Sequence, residues 1–479
     1  MQGTDHGVAC LEPGRELDMA ASQGATLFVV CAAQFLTPFM MSAVGVALPA
    51  IGREYSASAF QLGLVETVFI LAVSLALFPA GRLGDIYGRK RVFTQGIVLF
   101  SGATLAAVFA GCVELFILAR FFQGLGAAMI TGTSLAILSS VFPEEKRGRA
   151  MGVVVGCVYL GVSAGPVIGG GLVTWMGWRW IFYGAFGVGG LALLLTVLTL
   201  KGEWADSAGE AFDLLGSVLY MVSLSFVIVG SVNQSTGGEY RAMVALGGVG
   251  LILFIAYEYK KETPLVDVRL ILSDRAFAFS NLATMINYAA SFGATFFFSL
   301  YLQVVKGVTP QVAGLVLVSQ PLLQAFLSPL SGWLSGRIQP AKLATAGMTI
   351  CAVGLALSST VHRGTGIGQV AGILAVMGVG FALFAAPNMV TVMGCVEPRH
   401  YGLASSLIST MRTTGMLASM TVVTGLVSAQ MGQRPITAET APLFLSCMHE
   451  GFLVFCGLSL VGIVCSMVRQ KSGVPASST

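Results

Sequence analysis

The sequence predicts an all-α polytopic membrane protein with about 14 transmembrane helices, and three observations carry that prediction. First, of its 479 residues 55% are hydrophobic and only 10% charged, with a mean hydropathy of +0.84. A soluble domain carries about 25% charged residues. Second, the chain divides into about fourteen apolar runs near the ~20 residues that cross a hydrocarbon layer as a helix. Third, with the amino terminus inside, the basic residues sort by side. Of 26 Lys and Arg, eighteen fall in inside loops and ends and six in outside loops, with Arg120 and Arg412 left within spans. Cytoplasmic loops carry just such an excess.

The runs begin near Thr26, Phe60, Val92, Leu115, Met151, Ile181, Leu214, Ala242, Phe277, Val312, Leu343, Gly368, Leu403 and Phe452. Residues 1–24 are polar and acidic, through Asp5, Glu12, Glu16 and Asp18, and read as a cytoplasmic tail rather than a cleavable leader. Gly332-Trp333-Leu334-Ser335-Gly336-Arg337 echoes Gly81 to Ile86, eight spans later. Two six-helix halves sharing a loop pattern fit parallel repeats about an axis along the membrane normal. Eight spans is two too many, so the seventh and eighth read as an insert, giving 6 + 2 + 6. The division is a tail (1–24), a first six-helix bundle (25–200), a linker with two extra helices (201–275), a second bundle (276–469) and a tail (470–479). Both termini are then cytoplasmic, and the location is the cell membrane.

Between the second and third runs stands Gly81-Arg82-Leu83-Gly84-Asp85-Ile86-Tyr87-Gly88-Arg89-Lys90-Arg91. The cations at 89–91 fix this loop inside, and Gly81, Gly84 and Gly88 allow a tight turn between helix ends. Asp85 is a lone carboxylate among cations. This spacing resembles the signature loop of the major facilitator superfamily. The resemblance implies that Gly81, Asp85, Gly88 and Arg89 form a cytoplasmic gate, with Asp85 meeting the positive end of a helix near Tyr401 and Gly402, or pairing locally with Arg89.

Other segments are similar to the fourteen-span drug:proton antiporter family. They are Gly177-Trp178-Arg179-Trp180 before the sixth span, Phe212-Asp213-Leu214-Leu215-Gly216 at the insert, Tyr301-Leu302-Gln303 with Gly307 to Pro310, and Gly402 to Ser405 with Arg412. In the fifth span, Gly161, Gly165, Pro166, Gly169 and Gly170 resemble the antiporter motif. Glycines four apart allow close helix approach and a proline kinks the helix, so the stretch reads as a pliable seam, or as ordinary small-residue packing.

Charges within spans cost at least about 2.5–3.5 kcal/mol each on insertion scales, which makes them functional candidates. Glu66 and Arg120 each lie about six residues into an outside-to-inside span, roughly 9 Å deep. They pair, compete for one proton, or form a static brace. Arg120, Gln123, Gly124 and Gly126 match the family's R-x-x-Q-G-x-G motif, which implies that Arg120 takes part in proton coupling; Glu66 is its candidate partner because burial favours the neutral acid and a nearby guanidinium the carboxylate. One departure stands out. Met40 occupies the place of the family's first-span Asp, in Met40 to Pro49. Arg412 either binds an anionic substrate or snorkels and caps carbonyls. Gln123, Asn287, Tyr288, Gln320, Gln324 and Asn388 join it as candidate cavity residues.

The leading function is secondary active transport: proton-coupled export of small amphiphilic or drug-like compounds by alternating access. The alternative is a carrier of organic anions or metabolites without obligatory proton coupling. An enzyme is not expected, since no paired soluble domain, metal cluster or phosphate loop is visible. The partners are a small-molecule substrate, protons and the bilayer. A monomer is expected, with no cofactor and no metal. The net charge of +4 sits in loops and implies no nucleic acid. The nine cysteines read as small core residues without disulfides.

Overall fold

A computed structural model of the chain describes residues 13–200, 202–232, 238–261, 264–266, 268–269, 274–396, 401–432, 434–437 and 439–470. Among them there is no β-strand. The elements are α1 (Pro13–Tyr55), α2 (Ala59–Tyr87), α3 (Arg89–Val108), α4 (Val113–Val141), α5 (Glu144–Trp175), α6 (Arg179–Thr199), α7 (Leu214–Val232) and α8 (Gly238–Lys260). Then come α9 (Arg275–Leu300), which runs into a π-turn at Tyr301–Val305, α10 (Pro310–Leu317), α11 (Ser319–Leu334), α12 (Pro340–Ser359), α13 (Ile367–Gly394), α14 (Tyr401–Met431) and α15 (Ala441–Gln470). Thirteen helices among the described residues are long and apolar enough to cross a membrane. One of these is Pro310–Leu334, in which α10 and α11 meet at Val318.

The fourteenth span is α14. It is 31 residues long but diluted by Arg412 and a series of threonines and serines. Its polarity has a structural cause. It lies between α2 of the first half and α9 of the second, where polar side chains face protein instead of lipid. The fold is therefore the 6 + 2 + 6 arrangement. Within the first half α1 packs on α5, and α4 on α2 and α3; within the second, α12 and α11 pack on α13, and α9 on α14 and α15. The halves meet along α2 with α14 and α5 with α10. The insert lies outside the first of these seams. There α7 touches both α2 and α14, with Tyr220 donating to the Ser74 carbonyl at 3.0 Å, and α8 packs on α7.

Local chemistry explains the helix starts. Ser58 and Gln61 form a reciprocal capping box on α2, Asp274 accepts from the Ala276 and Phe277 amides of α9, and Pro310 opens α10 behind Thr309. Three readings need correction. The last span begins at Ala441, not near Phe452. His449 and Glu450 mask its first turns in a hydropathy reading, yet they bond the Ser359 carbonyl and Gln430 at the end of the bundle. The glycine-rich segment is not a loop through most of its length, because α2 continues to Tyr87 and α3 starts at Arg89. Only Gly88, at φ 111°, makes the turn, a conformation that suits glycine. Helix α1 also reaches back to Pro13, into the segment read as a tail.

Candidate functional site

A cavity of about 180 Å³ lies between the halves. The first half supplies Gln34, Thr37, Glu66 and Tyr159 to its wall; the second supplies Tyr288, Gln320, Gln324 and Arg412. Phe292, Phe296, Phe381 and the methionines 41, 416 and 420 complete an apolar surround. Thioether chains make such a wall adaptable. Several polar atoms at this wall are buried without a hydrogen-bond partner in the protein: Thr37 Oγ1, both Glu66 oxygens, Ser291 Oγ and Arg412 Nε. Buried polar groups are bonded in roughly nine cases of ten, so their gathering at one cavity makes it the candidate site.

Glu66 and Arg120 come together here. Arg120 Nη2 stands 3.5 Å from Glu66 Oε2. Arg120 is fully buried and held on three sides: Nε donates to the Val65 carbonyl at 3.3 Å, Nη1 donates to Gln123 Oε1 at 2.6 Å, and the guanidinium lies 4.1 Å over the Phe69 ring. Gln123 in turn donates to Thr104 Oγ1 at 2.7 Å, and Thr104 donates to the Phe100 carbonyl. The base is caged and the acid is not.

Arg412 enters from α14. Tyr159, Tyr288 and Gln324 stand with it at the same wall. Among the described residues no carboxylate lies within ion-pair distance of it.

The α5 glycines face backbone. A Cβ on Gly161 would lie 2.6 Å from the Phe35 carbonyl of α1, and one on Gly165 would overlap Ser42. The next turn faces the other half. A Cβ on Gly170 would stand 2.5 Å from the Pro310 carbonyl, and one on Gly314 would overlap the Pro166 carbonyl. Gly169 packs on Ala43. The halves are also joined by Thr67–Thr424 (2.9 Å), Ser299 Oγ to the Gly45 carbonyl (2.7 Å) and Gln303 Nε2 to the Val46 carbonyl (2.9 Å).

At the opposite end, Asp85 pairs with Arg89 at 2.8 Å, and Arg89 also reaches Asp206 at 2.8 Å and Ser140 at 2.7 Å. Arg82 pairs with Glu210, and Glu203 accepts from the Lys90 amide. The segment 202–213 thus straps this end, with backbone bonds from Ser207 to Asp85 and from Arg89 to Trp204. The side chains of Tyr401 and Gly402 lie outside the described residues, so the contact anticipated there is not among those seen.

Residues 30–304 and 280–478 match the sequence model of the Major Facilitator Superfamily. The chain belongs to this superfamily. It is 31% identical to the multidrug resistance protein Stp of Mycobacterium tuberculosis, over 81% of this chain and 72% of that one. It is 24% identical to the riboflavin transporter RibZ of Clostridioides difficile, over 93% and 97%. A solved bacterial homologue of the human lysosomal transporter Spinster superposes with a TM-score of 0.67 at 16% identity, covering 97% of this chain and all of that one. The protein is accordingly a multi-pass membrane carrier of small molecules and not an enzyme.

Within this facilitator, Tyr288, Gln320, Gln324 and Arg412 line the cavity and three other candidates do not. Gln123 is turned to Arg120 and Thr104. Asn388 donates to Ser280 and Thr284. Asn287 is buried outside the lining, with neither amide atom bonded in the protein. Their polarity lets any of them be cavity-facing in a linear reading; helix rotation decides otherwise. Tyr159 and Thr104 were missed, because a tyrosine or threonine in a membrane span is common and carries no charge to betray it.

Proposed function

We propose that this facilitator exports small amphiphilic compounds in exchange for protons by alternating access. It acts as a monomer in the cell membrane with both termini in the cytoplasm, and the bundles 25–200 and 276–469 rock about the cavity. The observation that carries this reading is Glu66, an acid at the cavity wall with both oxygens unbonded in the protein and a caged guanidinium 3.5 Å away. Burial favours its neutral form and Arg120 favours its charged form. A group balanced between the two can take a proton from one side and release it to the other. A substrate donor bound to the carboxylate leaves when the proton arrives, which is exchange. Met40 leaves the middle of the first span without an acid, and Glu54 in its last turn pairs with Arg179 away from the lining, so Glu66 has no rival at the cavity.

Relatives named for multidrug resistance and, at 27% identity over 85% of this chain, for tetracenomycin C resistance and export in Streptomyces glaucescens support the direction. The glycine seam supports rocking, and Asp85 with Arg89 serves as the cytoplasmic gate. A second reading, a metabolite carrier without proton coupling, has the riboflavin transporter relative in its favour.

The deciding experiment uses purified protein in sealed vesicles with an imposed pH gradient. Glu66→Gln should abolish gradient-driven transport and keep substrate exchange at equilibrium. Gradient-driven transport at the parent rate would remove Glu66 from the mechanism and leave the second reading.

A further inference from the structure

We infer that the cavity selects small amphoteric aromatic compounds: an acidic group seats on Arg412, and a hydrogen-bond donor at the other end seats on Glu66. This rests on the exchange reading above and names the class of substrate it would move.

The argument begins with charge. The cavity wall holds one carboxylate, Glu66, and one guanidinium, Arg412. Glu66 already has a cation behind it, in Arg120. Among the described residues no carboxylate pairs with Arg412, and the ring side chains that share its wall, Tyr288 and Tyr159, are phenols that offer it no carboxylate. With Arg120 counted behind Glu66, the site carries a net positive charge whether or not Glu66 is protonated. A purely cationic ligand meets an unshared guanidinium, whereas an anionic group finds one with an unbonded Nε. Guanidinium and carboxylate match in geometry and bond in pairs.

An anion alone would not serve exchange. Protonating Glu66 makes the wall more positive and would tighten an anion, so proton and ligand would travel together. Exchange requires that the proton displace the ligand. That follows if the same ligand donates a hydrogen bond to the Glu66 carboxylate, whose oxygens are both unbonded in the protein; the arriving proton removes the charge, turns one oxygen into a donor and leaves only a weaker, neutral acceptor. The same cavity is lined by Tyr288 and Phe381, edge-to-face at 5.4 Å, and by Phe292 and Phe296. Such a lining suits a flat ring. A volume of about 180 Å³ is below the ~300–1,000 Å³ of drug-sized pockets, which limits the ligand in this state to little more than one ring and its two ends.

The test measures binding to the purified full-length protein in lipid nanodiscs. The probes are phenylalanine (both ends), phenylalaninamide (no acid) and 3-phenylpropionate (no donor). Phenylalanine should bind at least roughly tenfold more tightly than either single-ended probe, the range of one charged hydrogen bond. Arg412→Gln should erase the preference for phenylalanine over phenylalaninamide, and phenylalaninamide should bind at least as tightly as to the parent, which reports intact folding. Equal binding of phenylalanine and phenylalaninamide to the parent, a preference that survives Arg412→Gln, or no binding of phenylalanine at millimolar concentration would each overturn the inference. Failure of the exchange reading looks different: the binding preference persists, but a pH gradient does not drive transport of the bound probe.

Discussion

Arg120 and Glu66 form an unequal pair. Arg120 is fixed by Val65, Gln123 and the Phe69 ring, and Glu66 is fixed only by its helix. Removing the base should therefore cost more than the 3.5 Å contact suggests, because the acid is left buried and unanswered. Arg120→Leu should destabilise by about 3–5 kcal/mol, seen as a lower melting temperature of the purified protein. The double variant Glu66→Leu with Arg120→Leu should recover much of that loss, since apolar replacement of a buried pair is often neutral, and should transport without response to a pH gradient. A double variant no more stable than Arg120→Leu alone would refute the pairing. This pair was legible because a charge in an apolar run stands out by its cost. Gln123 was legible as a motif member on the face of Arg120, three residues on, but not as its clamp, since whether the amide turns to the guanidinium or to the cavity is settled only by packing.

At the scale of elements, the segment 202–213 is the clearest addition to the sequence reading. Its acids Glu203, Asp206 and Glu210 look like a solvated linker in one dimension. In three, Asp206 and Glu210 pair with Arg89 and Arg82, and Glu203 accepts from the Lys90 amide just after Gly88. Asp206→Ala with Glu210→Ala should release the strap, and trypsin should then cut near Arg82 and Arg89 faster than in the parent. Equal cutting rates, in low and in high salt alike, would make the strap incidental. The insert is fastened just beyond it. Burial alone would raise the Asp213 carboxyl, but bonds from Lys261 at 2.6 Å and from the Gly216 amide, with Glu258 beside it, hold it below its usual range. Its contribution is thus present above the ordinary carboxylate range and lost as pH falls below it. The melting temperature should drop with acidification in the parent, and Asp213→Asn should flatten that part of the slope.

For the whole molecule, number and order of spans could be read because each apolar run must cross the same thickness, and the echo at Gly332 gave away the doubling. The cavity could not, because residues distant in sequence build its wall and helix rotation is silent in a hydropathy pattern. Motion can be tested directly. Thr67 and Thr424 touch at 2.9 Å across the halves. Thr67→Cys with Thr424→Cys should form a disulfide under mild oxidation, stop transport, and regain it on reduction. Transport that continues with the link closed would mean that the halves need not part there.

The meeting of α5 with α10 carries one more implication. Gly170 and Gly314 each lie against a carbonyl of the other half, so the pivot is bare main chain with nothing to trim and no room to add. Gradual refinement by swapping one side chain for a slightly larger one is closed off at that joint. Diversity in what the carrier accepts has to accumulate in the lining of the chamber, where a residue can change size without jamming the machine.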